Sequence, residues 1–135
     1  MLRTYSGACH CGRVRFEADI DVAAGTSKCN CSYCARMRMW SAQVRTDAFR
    51  LIAGEDDLAD YRGNNPVAHH TFCRHCGIHP FEWVDTPNMS GIRYCNINVA
   101  CLDGVDIGEL LAAPLTYRDG RNNDWASTPA ETRHL

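Results

Sequence analysis

Gly7-Ala8-Cys9-His10-Cys11-Gly12-Arg13-Val14-Arg15-Phe16-Glu17-Ala18 decides the fold of this chain. Two cysteines one residue apart stand between glycines, and a strand pattern follows at once. The glycines permit close backbone approach and positive φ, which turns around a metal often need. Val14 to Ala18 then alternates apolar and polar residues, the period of a half-buried strand. The same grammar recurs further along. Phe72-Cys73-Arg74-His75-Cys76-Gly77 is a second knuckle, again followed by glycine, and Cys29-Asn30-Cys31-Ser32-Tyr33-Cys34 lies between the two. Zinc takes thiolates tetrahedrally at about 2.3 Å, so neighbouring sulfurs must stand about 3.8 Å apart. A Cys-x-x-Cys turn achieves that, and so does Cys-x-Cys on an extended segment, where residues i and i+2 share a face. Seven ligands divide into four and three. Four close one site, and three leave a position open, which separates a catalytic zinc from a structural one. Spacing alone leaves open which clusters pair.

The remaining strands are short. Trp40–Val44, Phe49–Ala53, Leu58–Arg62, Val67–Phe72, Pro80–Val84 and Ile92–Val99 carry strand signals, with Gly54–Asp57 as a turn and Gly63-Asn64-Asn65-Pro66 as a breaker. Helix signals are confined to Ser32–Met39 and Asp106–Ala112, the second weakened by Gly108. The expectation is a mainly β fold, small and zinc-organised, with few short helices. A length of 135 residues suits one domain over 1–135, with its core at about 4–125 and a polar tail after Trp125 that frays.

Composition excludes several classes. The net charge of −2 becomes about −5 once seven thiolates hold two zinc ions, so nothing draws the chain toward nucleic acid. No run approaches a membrane span, and the first residues lack the apolar stretch of a secretory signal. Nine cysteines are an odd count for a disulfide framework. These features point to a reducing, cytoplasmic setting.

The three clusters resemble those of the glutathione-dependent formaldehyde-activating (GFA) family, which includes the centromere protein V domain. The shared pattern is Gly7, Cys9, Cys11, Gly12, Val14 and Phe16, then Cys29, Cys31 and Cys34, then Phe72, Cys73, Cys76 and Gly77. The resemblance runs from about Thr4 to Trp125 and implies a β-tent-like fold. It also implies a structural zinc at Cys9, Cys11, Cys73 and Cys76. A second zinc at Cys29, Cys31 and Cys34, the catalytic set, would keep an exchangeable position. One departure is Asn30, where many members have His, so any proton carried by such a His is absent here. Cys76-Gly77-Ile78-His79-Pro80-Phe81 looks like the subset of members with His-Pro after the knuckle.

The implied activity is that of a zinc-dependent carbon–sulfur lyase on a small thiol adduct, joining glutathione and formaldehyde into S-(hydroxymethyl)glutathione. The rival is a zinc-stabilised binding module without catalysis, its central zinc closed by His69, His70, His79 or an acidic residue. A metal buffer or redox sensor is a third reading, and it requires labile zinc. Arg36 and Arg38 follow the central cluster and are either surface charge or partners for the carboxylates of a peptide-like thiol. Cys95 and Cys101 fall on the apolar face of a strand and read as core. His69 and His70 should point to opposite faces, so that at most one looks toward the metal.

Overall fold

The computed structural model describes residues 1–63 and 65–135, so Asn64 of the expected breaker lies outside the described residues. The chain is mainly β. Strands β1 (Arg3–Ala8) and β2 (Arg15–Ile20) form an antiparallel pair around the first cysteine turn, and β5 (Phe49–Ala53) adds to β2. A seven-stranded sheet holds the rest: β3 (Thr26–Cys29), β4 (Ser41–Arg45), β6 (Leu58–Tyr61), β7 (Ala68–Cys73), β8 (Phe81–Val84), β9 (Tyr94–Asn98) and β10 (Leu115–Arg118). Its order is β10-β3-β4-β9-β8-β7-β6, antiparallel except where β10 runs parallel to β3. Helices α1 (Ser32–Met37) and α2 (Ile107–Ala112) are short. Asp106 caps α2 by accepting from the Glu109 N–H at 2.7 Å.

Both sheets contribute to one apolar cluster. Phe16, Ala18 and Ile20 from the first sheet, with Val14 just before β2, meet Ala42, Val44, Phe81, Cys95 and Ile97 from the second. The Phe81 ring packs edge-on against Phe49 at 4.6 Å and Phe16 at 5.6 Å between centroids. Burying each such ring contributes about 1.5–3 kcal/mol. Period-2 alternation then sends the intervening residues to the opposite face. Glu82 lies between Phe81 and Trp83, Asn96 between Cys95 and Ile97, and Gln43 between Ala42 and Val44. Register places Glu82 opposite Asn96, and Asn96 opposite Gln43. His70 on β7 continues the row, its Nδ1 at 3.0 Å from Glu82 Oε1. A polar row thus crosses the sheet on the side away from the apolar cluster.

The expected strands from Val14 to Val99 form within a few residues of their predicted ends, but β1, β3 and β10 had no clear sequence signal. Arg-Thr-Tyr-Ser-Gly-Ala, Thr-Ser-Lys-Cys and Leu-Thr-Tyr-Arg carry too few apolar residues to announce themselves. In β1, Gly7 is required by packing, since a Cβ there would sit 2.2 Å from Phe16 Cζ. The polar tail does not fray as expected. Leu135 is buried, and its carbonyl accepts from Lys28 at 3.0 Å. The Arg38 guanidinium donates to the His134 carbonyl at 3.1 Å. Among the described residues no helix is long and apolar enough to cross a membrane.

Candidate metal centres

Cys9 and Cys11 lie in the turn between β1 and β2, Cys73 ends β7, and Cys76 lies in the turn beyond it. Strand pairing across the fold brings all four sulfurs within 4.8 Å of one another. Cys9 Sγ is 3.6 Å from Cys11 Sγ, which is 3.7 Å from Cys73 Sγ. Those spacings match the edge of a tetrahedron with zinc–sulfur distances of about 2.3 Å, so the four residues fit zinc. Gly12 and Gly77 stand just past the second cysteine of each pair with φ of 79° and 77°. An added Cβ would meet nothing at either, so the left-handed backbone is what calls for glycine. Gly12 N–H donates to the Cys9 carbonyl and Gly77 N–H to the Cys73 carbonyl, which fixes both turns. The Val14 N–H donates to Cys9 Sγ at 3.4 Å.

The second group is local. Cys29 ends β3, Cys31 caps α1, and Cys34 sits in its first turn. Cys31 N–H donates to Cys29 Sγ and Cys34 N–H to Cys31 Sγ, both at 3.3 Å. The three sulfurs again lie within 4.8 Å. Crowding splits their acidities. Hydrogen bonds from the Cys29 and Cys34 thiols hold Cys31 down at about 2. The same sharing, with Cys29 first, pushes Cys34 far above the ordinary thiol range, and Cys31 pushes Cys29 up to about 11. This donor set suits a soft divalent metal such as zinc.

Among the described residues no histidine or carboxylate joins either group. His69 lies between Asp60 and Asp85, its ring nitrogens at 2.6 and 2.7 Å from their oxygens. His70 faces the other way and pairs with Glu82, and His79 Nδ1 is 2.7 Å from the Tyr33 hydroxyl. The seven clustered cysteines therefore divide into four and three, and among the described residues the three have no fourth cysteine, histidine or carboxylate beside them.

Asn30, which follows Cys29, has a task that its sequence position did not announce. Its amide donates to Asp119 Oδ1 at 2.7 Å and accepts from the Arg121 N–H at 2.9 Å. The clamp draws the turn after β10 across Cys29. A Cβ on Gly120 would lie 2.6 Å from Cys29 Sγ and 2.5 Å from the Trp125 ring. Neither Gly120 nor Trp125 is suggested by any local motif, because their proximity to Cys29 depends on the parallel β3–β10 pairing. Arg36 and Arg38 are tied to carbonyls, those of Ser32 and His134. Cys95 is fully buried on the core face, as its strand period predicts, and Cys101 is half-buried in the turn after β9. Burial pushes the Cys101 thiol up to about 11. All nine cysteines are unbridged.

Comparison with known proteins agrees with this architecture. The crystal structure of a Rhodobacter sphaeroides protein, 33% identical, superimposes with a TM-score of 0.68 over 82% of this chain and 99% of that one. The family described as glutathione-dependent formaldehyde-activating enzyme matches residues 4–107, a span that takes in every clustered cysteine. Over three quarters of its length, and with its three cysteine clusters in place, this chain belongs to the GFA family.

Proposed function

We propose that this protein is a zinc-dependent carbon–sulfur lyase-type enzyme of one domain, acting in the cytoplasm on a small thiol adduct. The adduct favoured by the family is S-(hydroxymethyl)glutathione, formed from glutathione and formaldehyde. The observation that carries the proposal is the group Cys29, Cys31 and Cys34, three sulfurs with no fourth cysteine, histidine or carboxylate beside them among the described residues. Cys9, Cys11, Cys73 and Cys76 would hold a closed structural zinc. At the three-sulfur group, bound zinc would supply a position where a thiol is held as thiolate near neutral pH.

The chain's own residues shape the chemistry at that position. Three cysteine thiolates already offset the metal's charge, which favours delivery of a thiol over strong polarisation of a carbonyl. The backbone N–H groups of Cys31 and Cys34 steady the sulfurs of Cys29 and Cys31. Asn30 and Gly120 hold the turn after β10 against Cys29 and restrict approach from that side. Tyr33 stacks on His70 at 3.7 Å between ring centroids and forms part of the wall beside Cys34. Holding thiol and aldehyde side by side then turns a bimolecular addition into a local one.

The test is thermal unfolding of metal-loaded protein with glutathione and with oxidised glutathione. At 100 times Kd, reduced glutathione should add about 2.7 kcal/mol, a rise of several degrees for a chain of this size. The rise should vanish when Cys29, Cys31 and Cys34 are replaced by serine. Oxidised glutathione has no free thiol and should shift the transition much less. Equal shifts from both forms would refute coordination of the thiol. No shift from either would leave a zinc-stabilised binding module.

A further inference from the structure

Glu82 sits at the centre of β8 with 5% of its side chain exposed. Glutamate is almost never buried to this degree unless paired. Among the described residues its hydrogen-bond partner is His70, whose Nδ1 lies 3.0 Å from Oε1. Among the described residues Oε2 has no hydrogen-bond partner. Removing a carboxylate from water costs several kcal/mol even when it is paired, and an apolar pair of the same volume would serve stability as well. The pair therefore calls for a reason other than packing.

Its position offers one. Strand alternation directs Glu82 to the polar face, away from Phe81 and Trp83. The Tyr33 ring of helix α1 lies on that face, stacked on the His70 imidazole at 3.7 Å. Tyr33 directly precedes Cys34, so the helical turn that carries Cys31 and Cys34 adjoins the His70–Glu82 pair through that stack. Burial first, and the Glu82 charge next, push the Tyr33 phenol up. The same charge is felt at Cys34, His79 and Tyr94. With His70 from β7 and Cys95 from β9, these are the titratable groups around Glu82.

We infer that Glu82 is the proton acceptor and donor for thiol–aldehyde addition at this site, and that His70 positions its carboxylate. The inference rests on the reading of Cys29, Cys31 and Cys34 as the place where the thiol is held. In the step, the thiol S–H bond breaks and its proton goes to Glu82 Oε2. The sulfur electron pair forms the C–S bond to the aldehyde carbon. The C=O π pair moves to oxygen, which takes the proton back from Glu82. Thiol and aldehyde become the hemithioacetal, Glu82 ends ionised as it began, and nothing is oxidised. The reverse sequence is the lyase direction. His70 donates through Nδ1 to Oε1, which leaves Oε2 free to exchange protons.

The experiment compares metal-loaded wild type with Glu82→Gln and His70→Gln in three measurements. Exchange between free and adducted glutathione is followed by NMR with labelled formaldehyde, above the uncatalysed rate. General acid–base groups contribute 10²–10⁴-fold, so Glu82→Gln should lose about 10²-fold in rate. His70→Gln, which keeps the carboxylate but loosens it, should lose about tenfold. The glutathione-dependent rise in Tm should persist in both. The third measurement is the solvent deuterium isotope effect on that exchange, which reports a proton moving in the limiting step. Wild type should exchange more slowly in deuterated water, and Glu82→Gln should lose that dependence because it has no carboxylate to carry the proton. If Glu82→Gln does not fold, Glu82→Asp replaces it, with the wild-type isotope effect and a lowered rate expected. Wild-type binding with unchanged rate and isotope effect in the variants would overturn the inference alone. Absence of any thiol binding by wild type would overturn the underlying site reading instead.

Discussion

Replacing Cys73 by serine should destabilise the fold far more than replacing Cys29, Cys31 and Cys34 together. A metal that joins two chain segments acts as a cross-link, and its entropic effect grows with the loop it closes. Cys11 and Cys73 are 62 residues apart. A cross-link across that span restricts the unfolded chain by ~4 kcal/mol, against ~2 kcal/mol for a loop as short as Cys29 to Cys34. Cys73 is also fully buried, and a serine hydroxyl left there without a partner costs a further ~1–3 kcal/mol. These sums approach the whole stability of an ordinary domain, about 5–15 kcal/mol. With unfolding entropies of about 2.1 cal/mol/K per residue, the cross-link contributions alone correspond to losses of ~15 °C and ~7 °C in Tm. The assay is calorimetric unfolding of both variants, with metal content measured on each sample. Cys73→Ser should be insoluble or melt much earlier. The triple variant should stay folded and carry one zinc instead of two. Equal losses of Tm, or a Cys73→Ser protein that keeps full metal and a cooperative transition, would refute the reasoning.

Phe81→Ala removes a ring packed against Phe16 and Phe49 and should cost ~3–5 kcal/mol, read as a fall in the urea midpoint at constant m. Gly120→Ala puts a methyl 2.6 Å from Cys29 Sγ and should lower zinc retention at the three-sulfur group during chelator titration, with the other zinc unaffected. His69 is desolvated, which lowers its pKa, but the hydrogen bonds its ring donates to Asp85 and Asp60 outweigh that and raise it overall. Its folded pKa thus lies above the unfolded value of about 6.5. The stabilisation is complete below pH ~6.5 and is lost as pH rises through the folded pKa. The Tm difference between wild type and His69→Gln should accordingly shrink between pH 6 and pH 8, and a constant difference would exclude the ion pairs as its source.

Much of the fold and both cysteine groups were legible because their signals are local. Alternation in Val14–Ala18 and Phe81–Val84 needs only neighbouring residues, and so does the spacing of each knuckle. The glycines after Cys11 and Cys76 report a backbone angle that the sequence can state by itself. What stayed illegible depends on register. Strand β10 is polar and pairs in parallel with β3 from almost ninety residues away, so Asn30 gave no hint of its clamp on Asp119 and Arg121. Alternation could place Glu82 on a polar face, but its burial and its pairing with His70 arise from tertiary contacts that alternation does not describe. The tail read as frayed because its composition is polar, and the carbonyls that hold it to Lys28 and Arg38 belong to the backbone, which composition does not describe.

The same side chain would serve two ends in this chain, because topology sets the span that each metal would bridge. Cys9, Cys11, Cys73 and Cys76 occupy two turns brought together only by the folded strands. That group is therefore coupled to folding, and its loss is felt by the whole molecule. Cys29, Cys31 and Cys34 are brought together by the entry into one short helix, so their geometry survives with little help from distant contacts. Such a local group can surrender or exchange a ligand at modest cost to the fold. Its surroundings come from elsewhere: His70 and Glu82 from β7 and β8, and Gly120 from the turn after β10. The family match ends at residue 107, before that turn. The sulfur chemistry and one wall of its surroundings thus belong to different parts of the chain. Changes in Asp119–Arg121 can reshape access to Cys29 without altering a single ligand.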